Sequence, residues 1–381
     1  MQLSSVALIA AAAIVTSGTA AADGSLTMRG VYYKERSTRV IQPMLDGMFE
    51  VGTRGLLTGH LLVDAITSAS ASSGAVAADP FTENRYEGGV GYAQELDGPE
   101  DSYLDVVRVG GNAKISNEPD YRSLYAGVRG EAEIAQKNAT VGLGGGIAAD
   151  TINASGTQDG GLSSGLKLKC PGDMLAESDE CSLNTYSVFA SVSHILSRNS
   201  VIGASYDLAY QSGFLANAYR QVIIAPIPVS ERHPFDRTRH AVAVSARYYL
   251  PTLHTTFIAA YRYYWDSWDL HGHTPEVRVV QSVGTGADAA FRYRYYKQDA
   301  SFFWEDRYKS AMQPYVTDDP KMSPFDSHLL EAKLGILGEV FGLDGRWAGA
   351  RIEGILEYIV QHNRFGNAVV AHAALTVPFE Y

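Results

Sequence analysis

Several groups of residues in this 381-residue chain have types and spacing that could support chemistry. His271 and His273 stand one residue apart with Asp266 and Asp269 close by, a nitrogen and oxygen set suited to a borderline metal such as copper or zinc. In an extended chain, residues two apart face the same way, so both imidazoles could converge on one ion with Asp266 as a further ligand. The plainer reading is a polar hairpin tip with solvated histidines. It is the stronger one, because a pair of histidines without further fixed ligands rarely makes a site. Ser193, flanked by Ser191 and His194, is the nearest approach to an activated nucleophile. Adjacent strand residues point to opposite faces, so Ser193 and His194 cannot share the required hydrogen bond, and no catalytic residue is assigned. The run GLGGGI at Gly142 to Ile147 lacks the Lys and Ser/Thr of a phosphate loop, and reads as a flexible strand or a close backbone approach. Asp318 with Asp319, and the acidic run Glu177 to Glu180, read as solvated loop charges, with external cation binding as the second reading.

The elements that must carry these residues are strands. In YRSLYAGVRGEAEI at 121–134, Leu124, Ala126, Val128, Ala132 and Ile134 share one side, while Tyr125, Arg129, Glu131 and Glu133 share the other. The period is two rather than 3.6. Residues 241–250, 256–265 and 369–381 repeat the pattern. Connections alternate in length: 136–138, 196–199, 251–253 and 284–286 are tight, whereas 67–82, 150–183, 212–238 and 304–325 are long and polar or rich in Gly, Ser and Pro. Short turns at one end and long loops at the other describe an all-β chain folded as a transmembrane antiparallel β-barrel. Counting from Met48 gives fourteen strands. Residues 23–47 form either a periplasmic or lumenal segment ahead of a barrel at 48–381, or another hairpin that raises the count to sixteen.

Composition agrees. Charged residues make up only 19% against 46% hydrophobic, and 37 glycines and 23 tyrosines are present. A net charge of −11 argues against nucleic acid as a partner, since binding it requires basic surface to displace counterions. No apolar run after the N-terminus is long enough for a membrane helix, which leaves a barrel open. Residues 1–22, with VALIAAAAIV at 6–15 and small residues at Ala20 and Ala22, read as a secretory signal peptide. Export to an oxidising compartment allows Cys170 and Cys181 to pair across a ten-residue polar loop, a reading favoured over free thiols.

Arg or Lys facing mid-bilayer lipid costs about 2–4 kcal/mol. Arg129, Arg247, Arg262, Arg292, Arg294 and Arg351 sit opposite the apolar series, so they are expected to line a polar lumen with Glu131, Glu133, Glu353 and Glu357. Tyr121, Tyr248, Tyr263, Trp265, Trp268, Trp347 and Tyr381 are expected at the membrane interfaces. The final alternation Ala373, Leu375, Val377, Phe379, Tyr381 resembles the terminal-strand signal read by the outer-membrane barrel assembly machinery.

The segments YRYYWDSWDLHGHT at 261–274, FRYRYYKQDASFF at 291–303, GVYYKERSTRV at 30–40 and VDAITSAS at 63–70 resemble a bacterial outer-membrane β-barrel family known chiefly as a domain of unknown function. Ser68 and Ala71 depart from the glycine and proline expected there. The resemblance implies an outer-membrane location in a Gram-negative bacterium, with outer-membrane lipid and the assembly machinery as partners. It brings no established activity and no cofactor. Members of that family are often encoded beside a small lipoprotein, a thioredoxin-like protein and a flavin transferase, so the resemblance implies periplasmic redox or lipoprotein partners. The resulting expectation is a channel or export barrel rather than an enzyme, with a structural barrel scaffolding periplasmic redox or metal-handling partners as the alternative and a soluble secreted β protein or an outer-membrane hydrolase ranked below it.

Overall fold

The computed structural model describes residues 23–36, 38–68, 81–99, 102–153, 168–171, 178–218, 220–224, 227–310 and 312–379. The signal peptide expected at 1–22, Ala71, Glu177 and Tyr381 lie outside the described residues. No described helix is long and apolar enough to cross a membrane.

The strands β1 (Gly24–Lys34), β2 (Thr38–Val51), β3 (Gly55–Ser68), β4 (Phe81–Asp97), β5 (Leu104–Asn117), β6 (Tyr121–Ile134), β7 (Ala139–Asn153), β8 (Glu180–Ser197) and β9 (Ser200–Gly213) follow one another around a ring. A separate two-stranded sheet, β10 (Gln221–Ile224) with β11 (Ile227–Ser230), comes next. The ring resumes with β12 (Asp236–Leu250), β13 (Thr255–Asp266), β14 (His271–Val283), β15 (Ala287–Gln298), β16 (Phe325–Leu337), β17 (Arg351–Gln361) and β18 (Ala368–Phe379). β1 pairs antiparallel with β18 from Gly24 opposite Phe379 to Lys34 opposite Val369, closing a barrel of sixteen strands. The segment 23–47 therefore contributes β1 and most of β2 to the wall, and a domain boundary at 47/48 would cut β2 in its middle.

The period-two pattern sets the faces. Val128 (69% exposed), Leu143 and Ile147 point outward with no protein over them, the condition a lipid-facing surface requires. Their neighbours Arg129 and Glu131 point into the lumen and pair with each other. Tight connections at 52–54, 135–138, 198–199, 251–254 and 284–286 lie at one end, where residues 338–350 form two short 3-10 helices, Gly338–Phe341 and Gly345–Trp347. The strand ends that flank the long connections 69–80, 154–179, 214–235 and 299–324 share the other end.

Aromatic residues mark the rims. Outward at the long-loop end, Trp265 stacks on His240 (4.9 Å between ring centres), and Tyr263 lies beside Trp265, His271 and His273. At the short-turn end Tyr248 and Trp347 are exposed, and Phe379 leans on Phe49 while crossing Gly24, where a side-chain carbon would meet the ring at 2.7 Å. Two of the expected interface aromatics are elsewhere. Tyr121 faces inward and donates to Asp150 (2.6 Å), and Trp268 is buried beneath the long loops with its indole N–H on the Asp236 carbonyl (2.9 Å). Neither residue breaks the alternation pattern; loop packing, which has no period, decides their surroundings.

Candidate functional site: a lumen with two unlike walls

In a sixteen-strand ring, strands eight places apart face each other, so β4 looks across at β14 and β5 at β15. The two sides carry opposite charge. On the inner face of β2–β7, carboxylates outnumber cations. Arg85 pairs with Asp64 (2.5 Å), Arg108 bridges Glu95 and Glu133 (both 2.9 Å), and Lys114 reaches Glu87 (3.1 Å). His60 sits between Asp46 (2.5 Å) and Glu87 (3.7 Å). The cations of this wall are part-wet, the Arg129 side chain 61% exposed although it points inward, whereas the carboxylates Asp64 and Glu87 are largely covered. On this wall the glycine run of β7 acts as a floor for aromatic rings. Tyr125 lies across Gly146, where a side-chain carbon would meet its hydroxyl at 2.5 Å, and Phe189 lies across Gly144. Only glycine leaves room for rings lying flat on the backbone.

On the inner face of β12–β15 cations predominate, with Arg237, Arg239, Arg247, Arg262, Arg278, Arg292 and Arg294 against Asp266, Glu276 and Asp288. Arg292 is the hub of its network. Only 15% exposed, it contacts Glu276 (3.7 Å), Glu331 and Glu357 (2.7 Å). Arg351 joins Asp288 and Glu353, and Lys333 reaches Glu353 (2.6 Å). Arg239, Arg247, Arg262 and Arg294 have no ion-pair partner among the described residues; Arg262 leans on the Tyr264 ring at 5.6 Å. Between them the register sets small residues, Ala241 beside Tyr264, Ala243 beside Arg262, and Gly272 beside Tyr264. This wall is therefore recessed where its guanidinium groups project.

A folded cap covers the long-loop end of the basic wall. It is built from 214–235, including β10 and β11, and from 299–324, with Val222, Val316 and Thr317 fully buried. Arg220, 3% exposed, grips Asp318 (3.1 Å), Glu231 (3.6 Å) and Asp319 (3.9 Å). Asp318 and Asp319 are thus structural counter-ions, not solvated loop charges. Burial alone would raise the Glu231 carboxyl. His233, the Thr317 hydroxyl and the Asn217 N–H outweigh it and hold this group below the usual carboxylate range. The Tyr308 hydroxyl donates to the Phe303 carbonyl (2.5 Å) and accepts the Thr317 N–H (2.8 Å). Trp268 joins cap to wall, with the Arg237 guanidinium 4.1 Å above its ring and His233 and Phe303 against its edges. Farther round the rim, a disulfide joins Cys170 to Cys181, and Cys181 packs with Ile152, Leu168, Leu183 and Phe214.

The metal set expected at His271, His273 and Asp266 does not assemble. Both histidines are register partners of outward Trp265 and Tyr263, whereas Asp266 faces the lumen. Its oxygens are taken by Arg237, the Tyr264 hydroxyl (2.6 Å) and the N–H groups of Trp268 (2.9 Å) and Leu270 (3.2 Å). Ser193 and His194 lie on opposite faces of β8, opposite Gly203 and the outward Ile202 respectively. The expected lumen residues Arg129, Arg247, Arg262, Arg292, Arg294, Glu131 and Glu133 all lie on inward positions, in separate clusters on the two walls. Sequence reading missed Arg239, Arg278, Glu276 and the cap residues Arg220 and Glu231. Alternation carries the first three; the last two leave no periodic trace.

The profile of a family described as "Protein of unknown function (DUF3570)" matches residues 1–336. No curated protein matches the sequence. Among solved structures, a bacterial polysaccharide outer membrane secretin superposes with a TM-score of 0.52 at 8% identity, covering 94% of this chain and 98% of its own. The outer membrane protein OprD from Pseudomonas aeruginosa gives 0.43 at 9% identity over 94% of both chains. OpdK from the same organism, solved with vanillate, gives 0.37 at 12% identity over 94% and 99%. At these identities the secretin shares the barrel fold and nothing finer.

Proposed function

The chain belongs to the DUF3570 family, and from that premise we propose that it is an outer-membrane channel of a Gram-negative bacterium, passing small polar solutes between an acidic and a basic wall. The observation that carries the reading is the wetness of inward charge: side chains such as Arg129 (61% exposed), Lys114 (43%) and Arg108 (41%) point into the lumen and still meet solvent. Barrels of sixteen strands are wide enough for an aqueous passage. Outward apolar positions and aromatic rims at both ends support residence in a bilayer.

Opposed walls create a field across the lumen, and charged rows of this kind set selectivity in pores. Arg247, Arg262 and Arg294, which have no ion-pair partner among the described residues, attract anionic groups, while the carboxylates of β2–β7 attract cationic ones. A solute bearing both kinds of group is therefore oriented as it passes. The purified protein, shown to be folded by heat-modifiable migration, is expected to give stepwise conductance in planar bilayers. A silent bilayer with folded protein overturns the reading.

A further inference from the structure

Outside the lumen, at the long-loop rim, Asp326 and His328 of β16 meet His362, the residue that follows β17. The donor atoms of the three all lie within 4.8 Å of one another. Asp326 Oδ2 is 2.8 Å from His362 Nδ1 and 3.6 Å from His328 Nε2. The group spans 36 positions of sequence and is brought together by the β16–β17 pairing, which the His362 N–H on the Asp326 carbonyl (3.0 Å) extends by one residue. We propose that Asp326, His328 and His362 form a binding site for a borderline divalent transition-metal ion of the Zn²⁺, Ni²⁺ and Cu²⁺ class.

Three features favour a metal over a plain hydrogen-bond cluster. First, two imidazoles and one carboxylate are the donors such ions prefer, and three protein donors leave a position open to water. Second, a tetrahedral shell with metal–ligand distances of about 2.0–2.1 Å puts its donors roughly 3.4 Å apart. The two distances from Asp326 Oδ2, 2.8 and 3.6 Å, bracket that spacing, and the imidazole pair lies within 4.8 Å. Third, His328 is already held as a ligand is held: its Nδ1 lies 2.8 Å from the Tyr293 hydroxyl, and its ring packs 5.1 Å from Tyr295. A second-shell partner on the far nitrogen fixes a ligating ring, and losing one weakens metal binding by about tenfold to a hundredfold. Lys297, the register partner of Asp326, makes no ion pair with it among the described residues, so no fixed cation occupies the carboxylate. By contrast, His271 and His273 lie on the same outer face without a carboxylate between them, since Asp266 is turned to the lumen.

The test is isothermal titration of the full-length folded protein in detergent with Zn²⁺, Ni²⁺ and Cu²⁺ separately, with bound metal counted after dialysis. One ion per chain is expected. His328→Gln, His362→Gln and Asp326→Asn should each weaken binding by about tenfold or more. Tyr293→Phe should weaken it by about tenfold to a hundredfold, and the double variant His271→Gln/His273→Gln should bind as the parent does. All variants are surface changes, and heat-modifiable migration verifies that each has folded. Two results overturn the site: no saturable binding of any of the three ions by the parent, or binding that survives the 328 and 362 substitutions. Binding lost only in the 271/273 variant also overturns it.

Discussion

The acidic wall of the lumen on β2–β7 and the basic wall on β12–β15 share strand geometry, pleat and pairing, yet treat their charges differently. On the acidic side a glycine-floored wall leaves the cations in water, and Arg129 pairs with Glu131 while 61% exposed. On the basic side Arg292 is 15% exposed, and Glu331 beneath it 7%. Exposed pairs contribute about 0–1 kcal/mol. Removing one partner of a buried cluster leaves uncompensated charge and costs several times more. Arginine is therefore scaffold at Arg292 and open to water at Arg129. Solvent access, not residue identity, separates the two roles.

The contrast can be broken most forcefully at Arg292. Arg292→Met leaves Glu276, Glu331 and Glu357 facing one another, and a loss of about 3 kcal/mol is expected in denaturant unfolding followed by heat-modifiable migration. A loss under about 1 kcal/mol would mean that the basic wall is as wet as the acidic one. Gly144→Val comes next. It must displace the Phe189 ring and crowd the Val128 carbonyl oxygen at 2.7 Å, at a cost of about 1–3 kcal/mol, whereas the same change at Gly30, which has open space around it, should cost less. If both cost the same, the aromatic floor is not what requires glycine.

The cap over the basic wall offers a pH test. Glu231 is held below its unfolded pKa of about 4.3. Its contribution is therefore fully present above that value and is lost as pH falls through the lower folded one. Acidification below about pH 4 should shift Trp268 fluorescence toward solvent-exposed emission. Glu231→Gln should show that emission already at neutral pH, and an unchanged spectrum across the range would dissociate cap from wall. The smallest stability effect is expected at Arg129→Gln, within about 1 kcal/mol. Selectivity should respond more sensitively. In a salt gradient, Arg262→Gln with Arg294→Gln should move the reversal potential toward cation preference, and Glu131→Gln with Glu133→Gln toward anion preference. Shifts of the same sign from both pairs would rule out opposed walls.

Much of this architecture is legible in the sequence. Alternation such as Leu124, Ala126, Val128 against Tyr125 and Arg129 identifies a strand and both its faces, and the contrast of short and long connections orients the barrel. What alternation cannot supply is who stands next to whom. Arg292 finds Glu331 and Glu357 through the β15–β16–β17 register, and Asp326 meets His362 across 36 residues of chain. Loop interiors are less legible still. Asp318 and Asp319 resemble any exposed acidic pair until Arg220, nearly a hundred residues earlier, is buried against them. Proximity in sequence also misled at His271, His273 and Asp266, where one tight turn sends the carboxylate inward and leaves the imidazoles outside.

The pairing of β1 with β18 has a consequence for how the molecule comes into being. Every other ladder in the ring joins elements adjacent along the chain, apart from the detour through the cap, and can zip as a hairpin does. The seam from Gly24 opposite Phe379 to Lys34 opposite Val369 joins the most distant ones. Contacts of such long range carry the largest loop-closure cost and form slowly. Until they form, the sheet has two raw edges, each a template for pairing with another chain. Closing the seam removes both edges in one event, so the slowest step of assembly is also the one that ends the chain's exposure to aggregation.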